Sequence, residues 1–327
     1  MNKILIIQTA SIGDVILAIA LIESLHLRFP GASIDYLVKK GNESLFHGHP
    51  FLKNVITWDK RSEKFAGLIK IIRQIRGTRY DLVVNVQRFF LTGLITVLSG
   101  SRETRGFSKN PLSFLFSRSI QHKIGDGIHE VHRNNDLIHD LVEPGNFIPH
   151  LYPAASDDGA VDQYIKGNYY TISPASLWFT KQYPVEKWVE FIGQVPDGSN
   201  IYLLGAQADL DICEKIISES RHPGILSLAG KLTLLQSAAL MKRARMNFTN
   251  DSAPMHLASS VNAPVTVVYC STSPRFGFGP LSSDSSIVEI TPPLACRPCG
   301  LHGFKKCPEK HFRCAFEIET AKLTMRL

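Results

Sequence analysis

Short apolar runs alternate with helical stretches along almost the whole chain, and this alternation restricts the fold more than any other feature. Residues 3–7 form a continuous apolar run that is rich in β-branched side chains. Such a run is typical of a strand that is buried on both faces of a parallel sheet. Strands that alternate with helices predict a series of βαβ units, and therefore an α/β fold.

The same pattern predicts the remaining elements. Further strands are predicted at residues 33–38, 55–58, 81–86, 169–172, 200–205, 246–250 and 264–269. Helices are predicted at residues 14–29, 65–75, 186–194, 210–220, 234–243 and 255–261. In the helix at 65–75, Leu68, Ile71, Ile72 and Ile75 form one stripe, which is the spacing of an amphipathic helix.

The alternation is interrupted between residues 143 and 168, where Pro144, Gly145, Pro149 and Pro153 favour turns. We interpret this segment as a linker, because 327 residues are enough for two domains. An N-terminal domain is predicted at residues 1–155 and a C-terminal domain at residues 165–327, each a doubly wound parallel sheet. Such pairs of domains usually bind a ligand in the cleft between them, at the carboxyl ends of the strands.

The charge of the chain favours anionic partners. Lys and Arg total 36 and Asp and Glu total 29, so the net charge is +7. Phosphates, nucleic acid and an acidic membrane face are all compatible with this excess, and so is a soluble enzyme that is merely basic. Polar residues up to Asp14 interrupt the apolar N-terminal region, so neither a signal peptide nor a spanning helix is expected. We therefore expect a cytoplasmic protein, and peripheral membrane attachment stays open.

The first candidate site is the turn after the first predicted strand, Thr9-Ala10-Ser11-Ile12-Gly13-Asp14. It lacks the G-x-G-x-x-G pattern of dinucleotide-binding turns. Gly13 allows a tight turn close to a ligand, and Asp14 is a candidate general base that takes a hydroxyl proton. The alternative interpretation is that Asp14 only favours the first turn of a helix through the helix dipole.

The second candidate site is the segment from Asn250 to His256, which joins a predicted strand to a predicted helix. The amides at a helix N-terminus bind anions, and the small residues Ser252 and Ala253 let a diphosphate approach. An ordinary capped helix that faces the core is the alternative.

The third candidate is Lys181, in the loop that begins with Ser173-Pro174-Ala175-Ser176. Its ammonium group would bring a positive charge to a phosphate. A lysine that is simply solvated is the alternative.

Four cysteines crowd the C-terminal segment: Cys296, Cys299, Cys307 and Cys314. Four thiolates are enough for a structural zinc site, although the spacing of the second pair is wide for zinc. Unbound thiols in a packed loop, a zinc site and a redox role all stay open. Basic residues of the same segment would suit acidic lipid head groups or acceptor phosphates, and they equally suit a solvated face.

Several of these motifs, in this order, resemble glycosyltransferase family 9, the ADP-heptose lipopolysaccharide heptosyltransferases. The similar segments are Ser11-Ile12-Gly13-Asp14, Arg105-Gly106-Phe107, His129-Glu130-Val131, Ser173-Pro174-Ala175 with Lys181, Tyr183-Pro184 and Trp188, Leu203-Leu204-Gly205, residues 228–234, Asn250 to His256, Ala263-Pro264-Val265, Thr272-Ser273-Pro274 and Gly279-Pro280. The resemblance covers almost the whole chain. It implies a GT-B fold, in which two Rossmann-like domains face a cleft.

The resemblance also implies roles for the residues that match. Asp14 would be the general base, with Ser11 and Gly13 on the acceptor side. Lys181 would contact the donor phosphates. The donor loop would comprise Asp251, Ser252, Ala253, Met255 and His256. Four positions depart from the family pattern: Ala253 replaces a common Gly, Ser173 replaces a frequent Asn, and Gln182-Tyr183 replaces the common Arg-Trp.

The reaction that the resemblance implies transfers a heptose or a related sugar, with inversion, to a lipid A–core oligosaccharide. The resemblance favours ADP-heptose as the nucleotide-sugar donor. The reaction requires no metal or other cofactor, and nucleic acid is not an expected partner. The expected location is the cytoplasm, with peripheral attachment to the inner face of the cytoplasmic membrane. Two alternatives remain: a sugar-nucleotide epimerase of the same fold, and a zinc-containing protein that binds nucleic acid.

Overall fold

The computed structural model describes residues 1–62, 64–145 and 147–327. The chain forms two compact units, Met1–Tyr152 and Pro153–Leu327. Each unit is built around a six-stranded sheet in which the strands run parallel.

The first unit has the strand order β3-β2-β1-β4-β5-β6. Its strands are β1 (Lys3–Ile7), β2 (Ser33–Lys39), β3 (Leu52–Trp58), β4 (Leu82–Asn85), β5 (Glu103–Phe107) and β6 (Arg118–Ile120). In the central strand, Ile4 pairs with Ile34 on one side and with Leu82 on the other. β1 is fully buried after its first residue, as the apolar run predicts.

The helices of the first unit are α1 (Ile12–Leu17), α2 (Ala20–Arg28), α3 (Lys64–Thr78), α4 (Phe90–Leu98) and α5 (Glu130–Asp136). The apolar stripe of α3 places Leu68, Ile71 and Ile75 in the core, where they pack with Leu5 and Trp58. The predicted stripe is therefore confirmed.

The second unit repeats this architecture with the strand order β12-β11-β10-β7-β8-β9. Its strands are β7 (Tyr169–Ser173), β8 (Asn200–Leu203), β9 (Ile225–Ser227), β10 (Met246–Asn250), β11 (Val265–Tyr269) and β12 (Ser285–Glu289). Its helices are α6 (Ala155–Val161), α7 (Val185–Ile192), α8 (Leu210–Glu219), α9 (Leu234–Arg243), α10 (Ala253–Ser260), α11 (Arg313–Phe316) and α12 (Ala321–Thr324). Trp188, Phe191 and Phe248 lie at the centre of its core.

Two expectations from the sequence need correction. The helix predicted at residues 14–29 is two helices, because the chain tightens at Ile19, whose amide donates to Ile16 O. The segment interpreted as a linker contains helix α6 and a 3₁₀ turn at Asp162–Tyr164. Asn146, in the same segment, lies outside the described residues.

The strands β5, β6, β9 and β12 were not predicted, since their sequences are short or rich in polar residues. In β5, Arg105 is buried because it forms ion pairs with Glu103 and Asp140. Within the described ranges no helix is long and apolar enough to cross a bilayer.

Candidate active site

The first cluster of candidate site residues lies in the first unit, at the carboxyl end of β1. The chain adds β2 and β3 on one side of β1 and then adds β4, β5 and β6 on the other side. Parallel α/β sheets bind ligands at the point where the strand order reverses in this way. The turn between β1 and α1 lies at the carboxyl end of β1 and ends in Ser11, the N-cap residue of α1. Ser11 Oγ donates a hydrogen bond of 2.5 Å to Asp14 Oδ2. Ser11 and Asp14 are therefore brought together, while Gly13 is buried in the first turn of the helix.

Polar side chains hold the backbone of this turn in place. Gln8 Oε1 accepts from the amide of Ala10 at 3.2 Å, and Asn42 Nδ2 donates to Ala10 O at the same distance. Gln87, which follows β4, donates from Nε2 to Gln8 Oε1. The carboxyl ends of β1 and β4 are thus joined by a buried pair of glutamines.

Lys60 lies beside this turn and is a further candidate that the sequence interpretation missed. It follows β3, and its Nζ donates to Thr9 O at 3.1 Å and to Thr9 Oγ1 at 2.7 Å. The same ammonium group lies 4.8 Å from the ring centroid of Trp58. Partial burial, with the nearby Lys39 charge, lowers the pKa of Lys60 to about 8. Its position directly after a strand was the signal in the sequence that could have identified it.

The second cluster lies in the second unit, at the adjacent carboxyl ends of β7 and β10. Lys181 follows β7, and its Nζ forms an ion pair of 2.7 Å with Asp251 Oδ2, directly after β10. The same carboxylate oxygen accepts a hydrogen bond of 2.6 Å from Thr272 Oγ1. The side chains of Lys181 and Asp251 are only 15% and 8% exposed, so solvent screens this pair weakly.

The loop that carries Lys181 is anchored by Asn250, the last residue of β10. Asn250 Nδ2 donates to Pro174 O at 2.7 Å, and Asn250 Oδ1 accepts from the amide of Tyr183 at 2.9 Å. Asn250 is fully buried, so both hydrogen bonds are shielded from water. One amide side chain therefore binds the backbone at both ends of the loop around Lys181.

Helix α10 begins beside this ion pair. The hydroxyl of its N-cap residue Ser252 lies 3.5 Å from Ala175 O and from Asn250 O, and it donates toward these carbonyl groups rather than to the first-turn amides. Ser252 and Ala253 are partly exposed. The amides of the first turn are the groups with which a helix N-terminus binds phosphate.

Met255 and His256, which are also predicted to bind the donor, are buried, whereas Ser252 and Ala253 are partly exposed. Met255 is fully buried, and its Sδ accepts a hydrogen bond of 3.4 Å from Tyr269 OH. His256 is also buried in the first turn of α10. The structure therefore brings Lys181, Asp251, Ser252 and Ala253 together at a partly exposed surface, and it places the side chain of Met255 in the core.

The cysteine-rich segment supports the Lys181 loop. The amide of Cys299 donates to Ser271 O at 2.7 Å. Thr180 and Phe304 exchange two hydrogen bonds, from the Phe304 amide to Thr180 Oγ1 at 2.7 Å and from the Thr180 amide to Phe304 O at 3.1 Å. The turn that carries Lys181 is thus bonded directly to the segment between Cys299 and Cys307.

The four clustered cysteines are free thiols. Burial, together with the neighbouring Cys299 and Cys307, raises the pKa of Cys314 to about 12. Burial also raises the pKa of Cys299, with contributions from Cys296 and Cys307. No group of three or more His, Cys, Asp or Glu side chains in the described ranges is arranged to hold a metal ion.

Comparisons with known proteins identify the family. The model of glycosyltransferase family 9 (heptosyltransferase) matches residues 68–303. Lipopolysaccharide heptosyltransferase 3 of Escherichia coli is 25% identical over 287 residues, which cover 81% of this chain and 82% of that protein.

Solved structures agree in fold. The Escherichia coli ADP-heptose lipopolysaccharide heptosyltransferase II superposes with a TM-score of 0.83 at 20% identity, covering 99% of this chain and 97% of the other. An Escherichia coli heptosyltransferase solved with ADP superposes with a TM-score of 0.75 at 19% identity, covering 99% and 98%. The two parallel-sheet units confirm the predicted GT-B fold. The family match decides against an epimerase and against a nucleic-acid-binding zinc protein: the chain belongs to glycosyltransferase family 9, the heptosyltransferase family, and is a glycosyltransferase.

Proposed function

We propose that the protein transfers a heptose from ADP-heptose to a lipid A–core oligosaccharide, with inversion at the anomeric carbon. The observation that carries this proposal is the position of Lys181, which is held at the carboxyl end of β7 by Asp251 beside the start of α10. A cation next to first-turn amides suits a diphosphate leaving group. The names of the similar proteins supply the sugar and the nucleotide.

In the proposed reaction Asp14 acts as the general base. Its carboxylate accepts the proton of the acceptor hydroxyl while the hydroxyl oxygen attacks the anomeric carbon of the donor. The bond between that carbon and the diphosphate breaks, and ADP leaves with the bonding electron pair. The hydroxyl of Ser11 donates a hydrogen bond to Asp14 Oδ2, and this bond orients the carboxylate. Gly13 allows the acceptor to approach the turn.

Lys181 and the α10 amides stabilise the negative charge that develops on the leaving diphosphate. Asp251 positions Lys181, because its Oδ2 already accepts hydrogen bonds from Lys181 Nζ and from Thr272 Oγ1. Ser252 and Ala253 border the site with small side chains. The buried positions of Met255 and His256 support a role in shaping the first turn of α10.

We propose that this transfer needs no cofactor and that the four C-terminal cysteines pack as thiols that support the Lys181 loop. The raised pKa values of Cys299 and Cys314 favour the neutral thiol over the thiolate that zinc requires. Elemental analysis combined with thiol titration tests this role. The role would be contradicted if the protein contains stoichiometric zinc and releases it when the thiols are titrated.

The proposed acceptor is a lipid, so we propose that the enzyme works peripherally at the cytoplasmic face of the inner membrane. Nucleic acid is not a proposed partner. The net charge of +7 supports attraction to an anionic lipid surface.

The experiment that tests the function measures heptose transfer to a lipid A–core acceptor by mass spectrometry, with a panel of nucleotide sugars as donors. Asp14→Asn should lower kcat by about 10²–10⁴-fold, because proton transfer is lost, while calorimetry shows unchanged donor affinity. Asp211→Asn is the matched control, since Asp211 also lies in the first turn of a helix, α8. Transfer by Asp14→Asn at the wild-type rate would exclude Asp14 as the base, and a preference for another donor would exclude ADP-heptose.

A further inference from the structure

We propose that the first unit carries a bilayer-binding surface next to its site, and this inference rests on the proposed lipid acceptor. The surface, which we term the aromatic edge, consists of Phe89, Phe90, Phe114 and Leu115 with the cations Arg88 and Lys109. Its proposed partner is a bilayer that contains anionic phospholipid.

The four apolar side chains of the aromatic edge are exposed. Phe114 is 77% exposed, and the other three are each just over half exposed. A single exposed apolar residue is ordinary, but a group of large ones on neighbouring loops marks an interaction surface.

Hydrogen bonds hold the two loops of the aromatic edge together. Asn110 Nδ2 donates to Gln87 O at 3.0 Å and to Phe89 O at 3.1 Å. Asn110 O accepts from the amide of Ser113 at 3.0 Å, at the start of the 3₁₀ turn that carries Phe114 and Leu115. A side chain at Gly93 would overlap Asn110, so the loop lies directly against α4. Asn110 therefore connects the two pairs of apolar residues.

The charge of this region is complementary to anionic lipid. Residues 86–90 and 108–115, which form its two loops, contain two cations, Arg88 and Lys109, and no anion, and β5, which leads to the second loop, contributes one anion, Glu103. Glu103 is occupied by ion pairs with Arg105 and Arg118. Arg88 and Lys109 are exposed, and the Arg88 guanidinium carbon lies 5.6 Å from the centroid of the Phe89 ring. Aromatic side chains interleaved with cations are typical of surfaces that bind the head-group region of a bilayer.

The position of the aromatic edge fits a lipid-borne acceptor. Its two loops follow the carboxyl ends of β4 and β5, and β4 pairs directly with β1, which leads to Asp14. The carboxyl ends of parallel strands lie at one edge of a sheet. A bilayer that contacts this edge would present the sugar of a membrane lipid on the same side of the unit as Asp14.

Co-sedimentation of the full chain with vesicles tests the proposal. We expect binding to phosphatidylglycerol–phosphatidylcholine vesicles that weakens with salt, and much weaker binding to pure phosphatidylcholine. The double variant Phe89→Ser/Phe114→Ser should bind at least about tenfold more weakly, because two apolar anchors are lost. Arg88→Gln/Lys109→Gln should also weaken binding and should reduce its salt dependence.

Matched controls lie at the opposite edge of the same unit. Leu27→Ser removes a leucine that is 86% exposed near the end of α2, and Arg102→Gln removes an exposed cation beside Asp81. Both controls should bind vesicles as the wild type does. Binding of the Phe89/Phe114 variant to vesicles at the wild-type level would overturn the proposal. The proposal would also be overturned if the wild-type protein is a homodimer and the variant is a monomer, since the surface would then join two copies of the chain.

Transfer assays separate this inference from the proposed function. The Phe89/Phe114 variant should retain transfer to a detergent-dispersed acceptor and should lose most transfer to the same acceptor in vesicles. Vesicle binding with no heptose transfer would contradict only the proposed function. Wild-type transfer from vesicles by the variant would contradict only the aromatic edge.

Discussion

Lys181 Nζ lies 2.7 Å from Asp251 Oδ2, so the cation proposed to bind the donor is held by a carboxylate from the neighbouring strand. Lys181 follows β7 and Asp251 follows β10, and these strands pair in the middle of the sheet. Because Lys has three donor hydrogens, one bond to Asp251 leaves others that can bind phosphate. The ion pair therefore positions Lys181 without consuming its capacity to bind an anion.

A double-mutant cycle of this pair measures that positioning. Lys181→Met should weaken donor binding by about 10–100-fold, as expected for a lost hydrogen bond to a charged group. Asp251→Asn should weaken it less, because the ammonium group stays but loses its tether. The donor-binding free energies from calorimetry should couple by about 1–2 kcal/mol in the cycle. Additive effects would show that Asp251 does not position Lys181.

Gly303→Ala should impair donor binding by displacing the turn that carries Lys181. A Cβ at Gly303 would lie 2.8 Å from Thr180 Oγ1 and 3.1 Å from Lys181 Cγ, so the turn around Lys181 has to move. We expect a loss of about tenfold in donor affinity, about 1.4 kcal/mol. Gly300→Ala is the matched control: Gly300 has nearly the same positive φ, 71° against 73°, and a Cβ there would meet no atom of the described residues within 4 Å. Equal donor affinities in the two variants would argue against the contact as the cause.

Lys60 should make acceptor binding depend on pH. Its pKa of about 8 means that its positive charge, beside the Thr9 turn, is present below pH 8 and is lost above it. For an anionic acceptor we expect KM to rise between pH 7 and pH 9. Lys60→Arg stays charged over this range and should keep KM low. Identical pH profiles of KM for the wild type and Lys60→Arg would show that Lys60 does not take part in acceptor binding.

His49 should make the first unit sensitive to acid. Burial, with the nearby His26, lowers the pKa of His49 to about 4, and its Nε2 has no hydrogen-bond partner among the described residues. The unfolded chain then binds a proton between pH 6.5 and pH 4 that the folded chain does not, so stability falls as the pH falls through that window. The loss should approach about 3 kcal/mol. Urea unfolding at pH 7 and pH 5 should show a smaller loss for His49→Gln than for wild type, whereas the exposed His47→Gln should behave like wild type.

The fold was largely predictable because most of the central strands are apolar and β-branched. Residues 3–7 and 246–250 have the predicted bounds as β1 and β10. The strands toward the edges were harder to predict, since β6 is mostly exposed, β12 has one buried residue and β5 buries an arginine. The burial of Arg105 depends on Asp140, which lies 35 residues away, and no local pattern indicates such a partner.

The sequence by itself determined the α/β architecture, the motifs of the family and the candidates Asp14, Lys181 and Asp251. These features depend on local pattern, on hydrophobic periodicity and on polar residues directly after strands. The tertiary structure decided which candidates meet: Lys181 pairs with Asp251, Ser11 bonds Asp14, and Met255 enters the core. It also brought Lys60 to the Thr9 turn. These contacts join residues from different loops, and only the pairing of the strands sets the distances between those loops.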